Sequence, residues 1–288
     1  MQKLIFLFIA VAAISCTKAQ KVQNSEDVFS VQAGDYTVSL LSEGQREGST
    51  GILIGATPEM IDETAPNGTF PMATNVFLIR TPDKNILIDT GVGYLLSDNL
   101  EFLGLSADEI DAILITHMHF DHIGGLLKDG EVVFPNAELY MAEPEYDYWA
   151  NSTNQQALNV LDVYEDQLVL FTPNGLADIS APLFPGIFAI AAYGHTPGHT
   201  VYLIQSGDDK LLIWGDLTHA MAIQMPYPQV AVTYDVNPEE AILSREAVLK
   251  QVSGNRIPVG GMHIVYPGIG ILQPTDETGY IFTPVTVK

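Results

Sequence analysis

The chain has 288 residues, 47% of them hydrophobic, enough apolar material for a large core in one or two domains. Twelve Lys and Arg stand against 35 Asp and Glu, a net charge of −23. Nucleic acid binding needs basic side chains to replace counterions, so nucleic acid is excluded as a partner; an anionic membrane surface is disfavoured for the same reason, and a neutral small molecule suits this surface best.

Residues 1–19 read as an export signal. Lys3 is a short positive region, "LIFLFIAVAAI" is apolar, and "TKA" before Gln20 is a small-x-small cleavage site. The apolar stretch falls short of the roughly 20 residues a bilayer span needs. Cys16, the one cysteine, lies in "AISC", which approaches a lipoprotein box but lacks its leucine. Export to the periplasm or the outside is expected, soluble from near Gln20 or lipid-anchored at Cys16. Residues 20–288 are then the mature single domain, with no integral membrane segment. Loss of Lys3 and Lys18 leaves 12 − 2 = 10 basic against 35 acidic residues, or −25, and no cysteine for disulfides or thiolate ligands.

Along the mature chain, "YTVSLLSEG" (36–44) predicts a strand. Residues 55–71, rich in Pro, Gly and acid, predict a long loop lining a binding site. "TNVFLIRT" and "NILIDTG", separated by "PDK", predict a hairpin. Ser106 and Glu109 have the spacing of a capping box that opens a helix, and "AILIT" follows as a buried strand. "AELYMA", "IFAIAAYG", "TVYLIQSG" and "KLLIWGD" predict further strands, while "EYDYWANS" and "QQALNVLDVYEDQL" predict helices. "NPEEAILSREAVLKQVSG" is the clearest helix. Asn237 caps it, Pro238 occupies its first turn, Ile242, Leu249 and Val252 form its stripe, and Gly254 stops it. "RIPVGGMH" returns as a strand. Hairpins mixed with crossovers imply an α/β sandwich of mixed sheets.

Three of the seven histidines fall within "HMHFDH", residues 117–122, directly after an apolar strand. Imidazole and carboxylate are the ligands zinc prefers, and His117, His119, Asp121 and His122 suffice to serve two ions. The bland alternative is a capped turn with solvated imidazoles. His195, His199, Asp216 and His263 lie in "GHTPGHT", "WGD" and "GMH", each where a strand stops. Alone, each would pass as structural; beside the cluster they read as a site beyond strand ends. Gly124 and Gly125 are expected to let a helix pack closely against that site.

The motifs "LIDTG", "THMHFDHIGG", "GHTPGHT", "WGD" and "GMH", in this order over residues 74–270, resemble the metallo-β-lactamase fold superfamily of binuclear metallohydrolases. The resemblance implies an αβ/βα sandwich and two Zn²⁺ per chain. It implies His117, His119 and His199 on the first ion, Asp121, His122 and His263 on the second, and Asp216 between them. It also implies that Asp89 supports a ligand histidine, while His195 is expected to orient its loop or a ligand from behind. His119 stands where the di-iron flavoprotein branch has Glu, and the lack of a cysteine ligand is unlike known β-lactamases. The segment from Gly215 to Gly270 resembles the branch of methyl parathion hydrolase and exported acyl-homoserine lactonases. Where many lactonases carry tyrosine three residues after the bridging aspartate, this chain has His219, open between pocket wall and proton donor.

The expected activity is hydrolysis of a neutral ester bond, lactones first, in quorum quenching. Asp121 or His219 would pass the proton to the leaving oxygen. Phosphotriesters or aryl esters, thioesters, and a non-catalytic metal-binding module are the alternatives, and a homodimer is left open as the assembly.

Overall fold

The computed structural model describes residues 27–276 and 279–286. The expected export signal and its cleavage site lie outside these residues.

Two mixed sheets face each other. The first runs Val28–Ala33, Tyr36–Ser49, Thr69–Arg80, Asn85–Ile88, Ala112–Leu114, Glu138–Ala142, Leu168–Phe171. Its first four strands are antiparallel neighbours, and the remaining pairings are parallel. The second runs Ile187–Ala191, Thr200–Ser206, Asp209–Ile213, Val259–Gly260, Ile269–Pro274, Tyr280–Pro284, with one parallel pairing, between Asp209–Ile213 and Val259–Gly260.

Period-2 alternation sorts the side chains into layers. Phe77, Ile79, Ile86, Ile88 and Leu114 meet Tyr202, Ile204 and Ile213 between the sheets. Val76, Leu78, Leu87 and Ile113 point the other way, onto Leu96, Trp149 and Val160 of three flanking helices. Val201, Leu203 and Leu212 turn outward onto Val248, Leu249 and Val252 of the helix Pro238–Asn255. Helix, sheet, sheet, helix is the αβ/βα sandwich expected from the sequence.

Several expectations change in detail. The 55–71 segment contains the helix Pro58–Thr64, capped by Thr57, and the site cavity is lined by residues flanking it, Ile52 and Met72. The capping box of Ser106 and Glu109 forms, but on a single 3-10 turn, Ala107–Glu109. The long helix passes through Gly254 and ends where Arg256 takes φ 55°. Its buried face is Ala241, Arg245, Val248, Leu249 and Val252, with Ile242 only half-buried. The fully buried arginine in that stripe is satisfied by the carbonyls of Leu217, Pro228 and Val230 at 2.6–2.8 Å. It staples the loop after Asp216 to the helix.

No helix among the described residues is long and apolar enough to cross a membrane.

Candidate metal centre

Four strands end at one rim and deliver the candidate residues. Ala112–Leu114 leads into His117–His122, Ile187–Ala191 into His195, Asp209–Ile213 into Asp216, and Val259–Gly260 into His263. The short helix Phe120–Ile123 that carries Asp121 and His122 lies hard against the loop after Asp89. A Cβ on Gly125 would stand 2.4 Å from the Thr90 carbonyl oxygen, and one on Gly124 2.8 Å from Val92 Cα. The two glycines permit the close packing expected of them.

Three imidazoles converge in a first group. His117 Nε2 lies 3.0 Å from His119 Nδ1 and 3.2 Å from His195 Nε2, and His119 Nδ1 is 3.0 Å from His195 Nε2. A tetrahedral zinc with Zn–N bonds of about 2.0–2.1 Å separates its nitrogens by about 3.3–3.4 Å, close to this triangle. Three hydrogen bonds cannot close the same ring, because neutral imidazole has one donor and one acceptor. Burial, reinforced by neighbouring imidazoles, holds His117 and His195 well below the ordinary histidine range and brings His119 to about 4. All three are therefore neutral at pH 7, the state in which imidazole binds metal.

Asp121, His122 and His263 form a second group, each offering an atom within 4.8 Å of the others. Here burial opposes charge, yet Asp216, Asp89 and Asp121 raise His122 well above its ordinary value, and Asp216 and Asp121 raise His263. The carboxylates demand a cation between them, a proton or a metal.

Asp216 joins the groups. Its Oδ1 is 3.1 Å from His122 Nε2, and its Oδ2 is 3.1 Å from His263 Nε2, 3.4 Å from His195 Nε2 and 3.6 Å from His117 Nε2. Burial raises its pKa, but the imidazoles of His122, His263, His219 and His117 prevail and hold it well below the carboxylate range. His122 Nε2 and Asp216 Oδ1 are buried without a well-formed hydrogen bond, which in a native site calls for an ion. The donor set therefore fits two metal ions.

The structure departs from the expected ligands at one position. His199 directs neither ring nitrogen at the cluster: Nδ1 bonds the Ala192 carbonyl at 2.9 Å, and Nε2 accepts from the Asp216 N–H at 3.0 Å. His195 takes its place. The signal was present in the sequence, since His195 follows the end of one strand whereas His199 immediately precedes the start of the next, Thr200–Ser206. His199 instead holds the backbone of Asp216.

Further hydrogen bonds fix the rings from behind. Asp89, at φ 60°, accepts from Thr116 N at 2.8 Å and meets His122 Nδ1 at 2.7 Å. Asp235 meets His195 Nδ1 at 2.8 Å, and His263 Nδ1 meets the Ala73 carbonyl at 2.8 Å. Such contacts orient a ring and raise its basicity as a ligand. Glu145, fully buried, accepts from Met118 N at 2.8 Å, Trp149 Nε1 at 2.6 Å and Gly198 N at 3.1 Å. It ties the "HMHFDH" loop to the "GHTPGHT" loop. Sequence reasoning missed Asp235, Glu145 and Arg245, and no local motif marks them.

Over the cluster opens a cavity of about 390 Å³, walled by His119, Asp121, His219 and His263 and by Ile52, Met72 and Tyr234. His219 places Nε2 3.0 Å from Asp216 Oδ2, while its buried Nδ1 has no hydrogen-bond partner among the described residues.

This fold and site belong to a known class of protein. Residues 69–256 match the model of the metallo-beta-lactamase superfamily, and the chain belongs to that family. It is a metal-dependent hydrolase. Among solved structures it resembles AidC, a dizinc quorum-quenching lactonase bound to a product, N-hexnoyl-L-homoserine, at 27% identity and TM-score 0.81, covering 91% of this chain and 98% of that one. It also resembles the hydrolase AbOPH in the beta lactamase superfamily, at 25% identity and TM-score 0.79, covering 92% of this chain and 100% of that one. Curated relatives match over shorter stretches. The anti-Pycsar protein Apyc1 of Paenibacillus sp. (strain J14) is 48% identical over 52 residues, 18% of this chain and 20% of its own length. The hydroxyacylglutathione hydrolase of Aeromonas salmonicida (strain A449) is 40% identical over 77 residues, 25% of this chain and 28% of its own.

Proposed function

We propose that the protein is a two-zinc lactonase that opens neutral small-molecule lactones, of the N-acyl-homoserine lactone type first. The observation that carries this reading is the pair of ligand groups sharing Asp216 beneath a cavity with both polar and apolar walls. Likeness to AidC over nearly the whole of both chains supports the lactone.

His117, His119 and His195 would hold one ion, Asp121, His122 and His263 the other, and Asp216 both. When bound, two zinc ions supply Lewis acidity, activating water near neutral pH and polarising the carbonyl under attack. The chain supplies orientation and a proton. Burial works against the charge of Asp121, yet His122 and His263 hold it below the ordinary carboxylate range. It is therefore ionised at neutral pH, suited to ligation and not to donation. That leaves His219, in the cavity wall with Nε2 3.0 Å from Asp216 Oδ2, to give the proton to the departing alkoxide oxygen. Tyr234, its ring 5.9 Å from His219, flanks the same wall.

Metal analysis of purified protein, followed by a panel of lactones, aryl esters, thioesters and phosphotriesters, tests the reading. Two zinc ions per chain and a kcat/KM for acyl-homoserine lactones above the rest are expected. Preference for phosphotriesters or thioesters would overturn the substrate, and less than one ion per chain would overturn the site. The export signal read in residues 1–19 would make this an exported enzyme; mass spectrometry of the native product should show a start near Gln20 or a lipidated Cys16, and an intact Met1 would refute both.

A further inference from the structure

The strand Tyr36–Ser49 does not run regularly beside Thr69–Arg80. Ser42 pairs with Asn75, but Gln45 pairs with Ala73 and Arg46 with Met72, so one extra residue is accommodated between them. A bulge of this kind moves the following side chains to the opposite face, and bulges recur where a side chain must be re-aimed at a site. Here the bulge puts Arg46 on the same face as Met72, in the wall of the cavity above the ligand groups.

Arg46 also lines a second cavity of about 390 Å³, bounded further by Val92, Tyr94 and Phe120. Asp121 is the one other residue common to both. Arg46 therefore stands at the waist between the chamber over the metal ligands and an outer chamber whose wall sets Val92, Tyr94 and Phe120 beside Glu43, Gln45 and Thr74. Arg46 is exposed at the cavity mouth, and its Nη1 donates to Thr74 Oγ1 at 2.7 Å, which tethers the guanidinium there. No carboxylate forms an ion pair with it among the described residues, although acidic residues outnumber basic ones 35 to 12 in the chain. A planar fork of five donors, tethered at one and outside ion-pair distance of any described carboxylate, is suited to a carbonyl or carboxylate oxygen of a ligand.

We propose that Arg46 determines specificity by binding the side-chain amide oxygen of an acylamino lactone, whose ring lies over the ligand groups and whose acyl tail passes into the outer chamber. This rests on the lactonase reading above. Arg46 touches no reacting atom, so it governs binding and not the chemical step.

The test pairs two lactones of equal length, one acylamino and one alkyl without the amide, on wild type, Arg46→Met and Arg46→Lys. Arg46→Met keeps the aliphatic stem and removes the fork. KM for the acylamino lactone should rise about 10- to 100-fold with kcat little changed, the usual loss for a hydrogen bond to a charged group. KM for the alkyl lactone should hold within about twofold. Arg46→Lys, with charge but no fork, should fall between. Calorimetry with the acylamino cyclopentanone, which retains the amide and cannot be hydrolysed, should show the same loss of affinity. Equal losses on both lactones, or none on either, overturn the role of Arg46 while leaving the lactonase reading intact. Wild type that hydrolyses neither lactone overturns the lactonase reading itself, and this inference with it.

Discussion

The two halves of the metal centre contrast in charge. The half made by His117, His119 and His195 is all imidazole, and burial keeps its rings neutral. The half made by Asp121, His122 and His263 brings a carboxylate of its own, and its histidines are pulled toward the charged state. The first half is a pre-neutralised set of nitrogen donors with little net charge. The second is an anionic cradle that attracts positive charge before any metal arrives. Asp216 is the one group both share, so it couples two sites of otherwise different chemistry.

Removing that shared group should have the largest effect. Asp216→Ala is expected to lose both ions and all measurable hydrolysis, read by elemental analysis and kinetics. A variant that kept two ions and its activity would mean that the halves are independent. Next, His195→Ala should lose the imidazole-side ion while the carboxylate side keeps its own. His199→Asn should retain two ions, since neither ring nitrogen of His199 faces the cluster. The reverse outcome would restore the assignment first drawn from the motif.

That exchange of His195 for His199 shows what the sequence makes legible. His117, His119, Asp121 and His122 can be read because six consecutive residues pack the ligands of both halves into one turn. Asp216 and His263 can be read from their places at strand ends. The two histidines of "GHTPGHT" are four residues apart and chemically identical, and only the strand boundary separates them. The layered sandwich follows from alternating apolar runs, but not the phase of the long helix, where Arg245 occupies a buried position among apolar residues. Asp235 reaches His195 across 40 residues, and Glu145 reaches Met118 and Gly198 across 27 and 53. Such contacts are created by the tertiary fold and leave no local spacing to find.

His219 meets the shared carboxylate at 3.0 Å, and its ring lies 4.9 Å from those of His195 and His263. In the reading above it is assigned to neither ion, so its replacement should separate catalysis from metal binding. His219→Ala is expected to lower kcat by about 10²–10⁴, the range for a positioned acid or base, with two ions retained. The loss should shrink on nitrophenyl esters, whose leaving group needs no proton. Loss of metal, or an equal rise of KM on every substrate, would make His219 a support or a wall.

The smallest effects should come from the carboxylates behind the rings, and they test the contrast most directly. Asp89 meets Nδ1 of His122 at 2.7 Å, and Asp235 meets Nδ1 of His195 at 2.8 Å, so each half has one such partner. Both are buried, and burial raises the pKa of both. Asparagine in either place keeps the shape and removes the charge; its oxygen can still accept the ring N–H, but its amide can also turn a donor toward the ring and favour the wrong tautomer. Losses of this kind usually cost 10–100-fold in metal affinity. Asp89→Asn should weaken the ion held by Asp121, His122 and His263, and Asp235→Asn the one held by His117, His119 and His195. Competition with a graded chelator would show one ion leaving early in each variant. The Asp89 loss should be the greater, because its partner half depends on summed negative charge, whereas Asp235 mainly fixes the direction of a neutral ring. Equal losses of both ions in both variants would mean that the halves respond as one unit through Asp216, and the contrast in charge would have no thermodynamic consequence.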